Sequence, residues 1–145
     1  MARSPLFLSV LIPILQVAAQ PGHLDPTFNP IDHGYGYGAG ANNVVFGAVA
    51  QPDGRTIIGG LFTQFEGQSC PNIARVNVNG TYDPSFLSGT GPNSTVWALA
   101  RQPDGRIVVA GSFTHYNGVP RSRIARLFAD GTLDPSFDPG IGPNS

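Results

Sequence analysis

The chain has 145 residues, enough for one domain, and a formal net charge of −1 at pH 7. That balance gives no electrostatic basis for binding nucleic acid or an anionic membrane. Hydrophobic residues make up 41% of the chain, in short runs separated by 19 glycines and 14 prolines, which excludes a disordered polar chain and fits short strands joined by tight turns.

Met1 to Ala19 has the pattern of a secretory signal. Arg3 supplies the positive start, Leu6 to Leu15 is a short apolar core interrupted by Pro13, and Val17-Ala18-Ala19 is a small-residue cleavage site that leaves Gln20 as the mature N-terminus. A buried N-terminal strand or helix is the competing reading. The apolar core is shorter than the ~20 residues of a membrane span, so no span is expected. Export to an extracytoplasmic compartment follows, secreted or at the cell surface. The single cysteine, Cys70, cannot form an internal disulfide.

Leu24-Asp25-Pro26-Thr27-Phe28 comes next, and its tetrad returns as Asp83-Pro84-Ser85-Phe86 and Asp134-Pro135-Ser136-Phe137. The second interval is 51 residues and the first is 58. The excess falls in Asn29 to Asn42, around the glycine-rich Gly34 to Gly40, and lengthening a surface loop costs little. This glycine run has no GK[ST] ending and is not a phosphate cradle.

Val44 to Val49 reads as a first strand, matched by Thr95 to Ala100. Each run leads into the same turn, Gln51-Pro52-Asp53-Gly54-Arg55 or Gln102-Pro103-Asp104-Gly105-Arg106. Proline presets φ for the second turn position, aspartate bonds its own backbone, and glycine takes the positive φ that closes the turn. Thr56 to Phe62 and Ile107 to Phe113 form a second strand. It is almost continuously apolar, so both of its faces are expected to be covered. A variable loop follows, Gln64 to Pro71 and His115 to Pro120.

Ile73 to Val78 and Ile124 to Ala129 form a third strand. Its alternation puts Ala74, Val76 and Val78 on one face and Arg75 and Asn77 on the other, which predicts a half-exposed strand. Asn79-Gly80 and Asp130-Gly131 are hairpin signals leading into the Asp-Pro-Ser-Phe segments. Proline cannot donate to a ladder, so these segments are expected as a short fourth edge strand. Four-stranded units at this period are the signature of propeller blades. The expected fold is all-β: about two four-stranded propeller-type blades, an incomplete β-propeller. Repeat 1 spans about 25–82, repeat 2 about 83–133, and a third begins over 134–145.

The combined motif resembles the delta-60 repeat family, a domain-of-unknown-function β-propeller repeat. The residues that carry the likeness are Gln102-Pro103-Asp104-Gly105-Arg106, Gly111-Ser112-Phe113-Thr114, Ile124-Ala125-Arg126-Leu127, Asp130-Gly131 and Leu133-Asp134-Pro135-Ser136-Phe137. In the first copy Asn79 and Tyr82 replace Asp and Leu. The resemblance implies a bacterial, exported, propeller-forming repeat and brings no activity or site residues with it. A closed propeller has typically 4–8 blades. Gly142-Pro143-Asn144-Ser145 repeats Gly91-Pro92-Asn93-Ser94, after which a further first strand would begin. The expectation is an N-terminal part of a longer chain, with more blades to follow.

Asp25, Asp83 and Asp134 are expected to cap their own turns by bonding backbone N–H groups beyond the proline. Phe62, Phe86, Phe113 and Phe137 recur with the repeat and are expected in packing, not as a sugar platform. His23, His33 and His115 do not recur, and Arg121 and Arg123 fall on the opposite strand face from Arg126. No residue is assigned as catalytic, cofactor-binding or metal-binding. Asn79-Gly80-Thr81 and Asn93-Ser94-Thr95 fit the glycosylation pattern, which counts only in a eukaryotic host. The function expected is a non-catalytic exported repeat protein with a protein or carbohydrate ligand. The alternative is part of an exported propeller enzyme, such as a polysaccharide-active hydrolase or lyase.

Overall fold

The computed structural model describes residues 40–143. The signal-like segment, the Asp25 tetrad, His23, His33 and most of the first glycine-rich loop lie outside them.

All elements among the described residues are strands. They are β1 (Val45–Ala50), β2 (Thr56–Gly60), β3 (Gln64–Phe65), β4 (Gln68–Ser69), β5 (Ile73–Val76), β6 (Val96–Arg101), β7 (Ile107–Gly111), β8 (His115–Tyr116), β9 (Val119–Pro120) and β10 (Ile124–Leu127). They form two three-stranded antiparallel sheets, β1-β2-β5 and β6-β7-β10, each with a two-stranded hairpin, β3-β4 or β8-β9. The turn chemistry explains the register. Gly54 donates to the Gln51 carbonyl at 3.0 Å, and Gln51 donates to the Arg55 carbonyl at 2.8 Å. Gly54 has φ +85° and Gly105 +87°, a region closed to most side chains, so glycine ends both turns. The same geometry closes the third strand, where Gly80 donates to Asn77 at 2.9 Å and Gly131 to Phe128 at 3.0 Å.

The Gln64 to Pro71 and His115 to Pro120 segments, expected as variable loops, are short hairpins. Their tips are Glu66-Gly67 and Asn117-Gly118, with both residues of each pair at positive φ. That is the turn whose twist matches paired strands.

The two sheets stack face to face and come closest at β1 and β6. The core between them joins Ile57, Ile73 and Phe86 of the first unit to Val96, Ile107, Val109, Phe113, Tyr116, Ala125 and Leu127 of the second. A smaller core on the far side of the first sheet holds Ile58, Phe62, Phe65, Cys70 and Ala74. The second strand of the first unit is therefore covered on both faces, as its apolar run predicts. In the second unit Val109 is buried while Val108 and Ala110 are only half-buried, because no third blade stands on that side among the described residues. The architecture is an incomplete β-propeller of two blades.

Two expectations need correction. The third strand of the first unit is not half exposed: β5 ends at Val76, and Ala74 and Arg75 are both buried on opposite faces, whereas β10 alternates as expected, with Ala125 and Leu127 buried and Ile124 and Arg126 half-buried. Arg75 faces the neighbouring blade and is neutralised there. The fourth segment is no strand either, since only single bridges, Val76 to Tyr82 and Leu127 to Leu133, tie it to its sheet. Pro84 and Pro135 remove the donors a longer ladder would need.

Candidate functional site

Three motifs far apart in the sequence converge on one point in each blade. In the first, Asp83 Oδ1 accepts from Ser85 N at 2.9 Å and from Ser85 Oγ at 2.6 Å, which is the expected turn cap. Its other oxygen accepts from Arg75 Nε at 2.7 Å and from Arg55 Nη1 at 2.8 Å. The Arg75 guanidinium also lies 5.1 Å from the centre of the Phe86 ring. The second blade repeats the arrangement. Asp134 holds Ser136 N at 2.9 Å and Arg126 Nε at 2.8 Å, Arg106 Nε stands 3.2 Å away, and Arg126 lies 4.9 Å from the Phe137 ring centre. Each turn aspartate, Asp53 or Asp104, completes the cluster by pairing with its own arginine at 2.6 Å.

The first clamp also fastens the blades together. Arg75 Nη1 and Gln51 Nε2 both donate to the Ala129 carbonyl, at 3.1 and 2.9 Å, and Leu87 N donates to the Asp130 carbonyl at 2.7 Å. Gly131 leaves room for the Phe86 ring, which a Cβ there would strike. In the second blade the equivalent Gln102 Oε1 is buried with no hydrogen-bond partner among the described residues.

These contacts set the charges. Burial alone would raise the Asp83 pKa. The Ser85 hydroxyl and amide, then Arg55 and Arg75, more than offset that and hold the carboxyl far below its ordinary range. The hydrogen bond from the Ser136 hydroxyl, with Ser136 N and Arg126, likewise lowers Asp134 against its burial. The Arg55 side chain lowers Asp53, and the Arg106 amide and side chain lower Asp104. Such carboxylates are locked as anions and are poor proton acceptors. Burial pushes the Cys70 thiol up to about 11, which keeps it un-ionised.

A second feature sits where β1 meets β6. The register of each strand shifts by one residue, between Val45 and Gly47 and between Val96 and Ala98. The unpaired residues are Phe46 and Trp97. Their ring centres lie 4.5 Å apart, and Trp97 Nε1 donates to Ser112 Oγ at 2.7 Å.

The structure keeps the recurring phenylalanines in packing, with Phe62, Phe86 and Phe113 buried and Phe137 half-buried against Arg126. His115 is exposed, with Nδ1 3.0 Å from Thr114 Oγ1. Arg121 donates to its neighbour's carbonyl, apart from Arg126. Sequence reasoning missed Arg55, Arg75, Arg106 and Arg126 as partners of the tetrad aspartates. Their recurrence at 51 residues was the available signal. Among the described residues no group of three or more His, Cys, Asp or Glu side chains is placed to hold a metal, and no helix is long and apolar enough to cross a membrane. An open hollow of ≈ 480 Å³ lies beside the first clamp, lined by Asp53, Arg55, Asn77, Val78 and Asn79.

Residues 51–86 and 102–137 each match the family described as a domain of unknown function (DUF5122) beta-propeller. Each match runs from the glutamine of the turn to the phenylalanine of the tetrad, so it encloses one complete clamp. No curated protein and no solved structure matches the chain.

Proposed function

We propose that this chain, a member of the delta-60-type DUF5122 β-propeller repeat family, is a non-catalytic module of an exported binding or cell-surface protein. Residues 1–19 are its secretory signal, and 20–145 are blades of a longer propeller; counted from tetrad to tetrad the repeats begin at about 25, 83 and 134, while the tetrads at 83 and 134 each belong in space to the blade before them. One observation carries the reading: the recurring carboxylates Asp53, Asp83, Asp104 and Asp134 are all held by arginines of the same blade. The family motif is accounted for by folding, and it leaves none of these groups free to act as an acid or base.

The full chain is expected to show no turnover on neutral or acidic polysaccharides. Asp83→Asn and Asp134→Asn are expected to lower its melting temperature and nothing else. Turnover of any such polymer, abolished by either variant while circular dichroism shows the fold intact, would overturn the reading. Export has its own readout: N-terminal sequencing of the product secreted by an expressing cell is expected to begin at Gln20.

A further inference from the structure

Phe46 and Trp97 occupy the same position in the two repeats, 51 residues apart. Each is the extra residue of a β-bulge, a device that takes a side chain out of the normal alternation and re-aims it. The bulge occurs twice and presents an aromatic both times. The rings meet across the blades at 4.5 Å with their planes inclined by 43°. Both remain open to solvent, Phe46 at 43% and Trp97 at 51%. The bond to Ser112 satisfies the only indole donor and holds the ring by its polar edge.

The surroundings define what would bind. Asn43 to Val49, Gly59 to Phe62, Ser94 to Ala100 and Ala110 to Phe113 carry or flank the pair, and none contains an ionisable side chain. These segments offer a charged ligand no counter-charge for the hydration it would give up. The negative ring faces attract polarised C–H bonds, and Ser112, whose Oγ accepts from the indole, supplies a polar group at the margin. The ridge is open, so a wholly apolar ligand would leave its outer face in water. A neutral sugar ring has a C–H face for the aromatics and a hydroxyl rim for the margin and the solvent. We propose that Phe46 and Trp97 form a stacking subsite for a neutral saccharide. The proposal rests on the binding-module reading above.

Trp97 is the only tryptophan, so fluorescence excited selectively at the indole reports this site alone. The full chain would be titrated with cellohexaose, xylohexaose and chitohexaose. A saturable fluorescence change is expected with at least one. Phe46→Ala is expected to weaken that binding roughly tenfold. Trp97→Ala, followed by calorimetry, abolishes it, and Ser112→Ala weakens it less. Both aromatics are only about half covered, so unchanged melting curves will confirm that the variants fold. The proposal is overturned by no response to any of the three sugars at millimolar concentration, or by binding that survives both aromatic substitutions. A response only to tetramethylammonium or to a proline-rich peptide also overturns it, reassigning the ridge to a cation or a protein partner. Failure here with no polysaccharide turnover leaves the module reading standing and removes only this ligand; turnover removes the module reading itself.

Discussion

Arg75 and Arg126 are one residue of the repeat in two surroundings. Arg75 is 4% exposed beneath the second blade, and Arg126 is 20% exposed on an uncovered face. Removing one member of a buried ion pair strands the other, at ~3–5 kcal/mol. Arg75→Met is therefore expected to lower the unfolding free energy by about that amount in urea titration, and Arg126→Met by less, because Arg75 also bonds the Ala129 carbonyl of the second blade. The clamp also predicts the acid limb. The folded pKa of Asp83 lies below the unfolded value of about 3.9, so its stabilisation is complete above that pH and is lost as pH falls toward the folded value. The urea midpoint should drop below about pH 4, and Asp83→Asn should flatten that drop. Tyr116 points the other way, because its hydroxyl is buried without a partner among the described residues and its repeat equivalent is Phe65. Leaving such a group unpaired costs about 1–3 kcal/mol, so Tyr116→Phe is expected to hold or raise the melting temperature. The tetrad aspartate was legible as a turn cap because that bond is local. Its arginines were not, because strand alternation says which side chains share a face and nothing about what covers it.

Among the elements, β2 and β7 show how much one methyl group decides. Gly59 faces Val96 of the next blade, and a Cβ there would collide with it. The equivalent residue of β7 is Ala110, half-buried on the uncovered face. Overpacking a formed interface costs about 1–3 kcal/mol, so Gly59→Ala should destabilise by that order in thermal melts. Ala110→Gly relieves nothing and should cost only the ~0.5–1 kcal/mol of backbone entropy. The long strands and their turns were readable, since Pro-Asp-Gly and alternating apolar runs are local signals. The β3-β4 and β8-β9 hairpins read as loops in the sequence, although Asn117-Gly118 is the usual dipeptide for such a turn. Their strands are two residues long, too short for any periodicity to register.

For the whole molecule, the two blades make the same faces and differ in what lies on them. Val108, Ala110, Ile124 and Phe137 are half-buried, whereas Ile57, Gly59, Ile73 and Phe86 at the same repeat positions are buried by the neighbouring sheet. Appending a third copy of the repeat, together with Ala110→Gly to recreate the slot that takes Val96, is expected to raise the melting temperature. It should also slow hydrogen exchange across β7 and β10; unchanged exchange there would mean that the face does not accept a blade. The sequence by itself determined the repeat, its 51-residue period, the turns and the all-β class, because each is written in local chemistry that recurs. Only the tertiary structure decided that Arg75 is buried, that the arginines and tetrad aspartates form one clamp, and that two bulged aromatics meet. Each of these depends on which blade lies against which face, and a single strand carries no record of its neighbour.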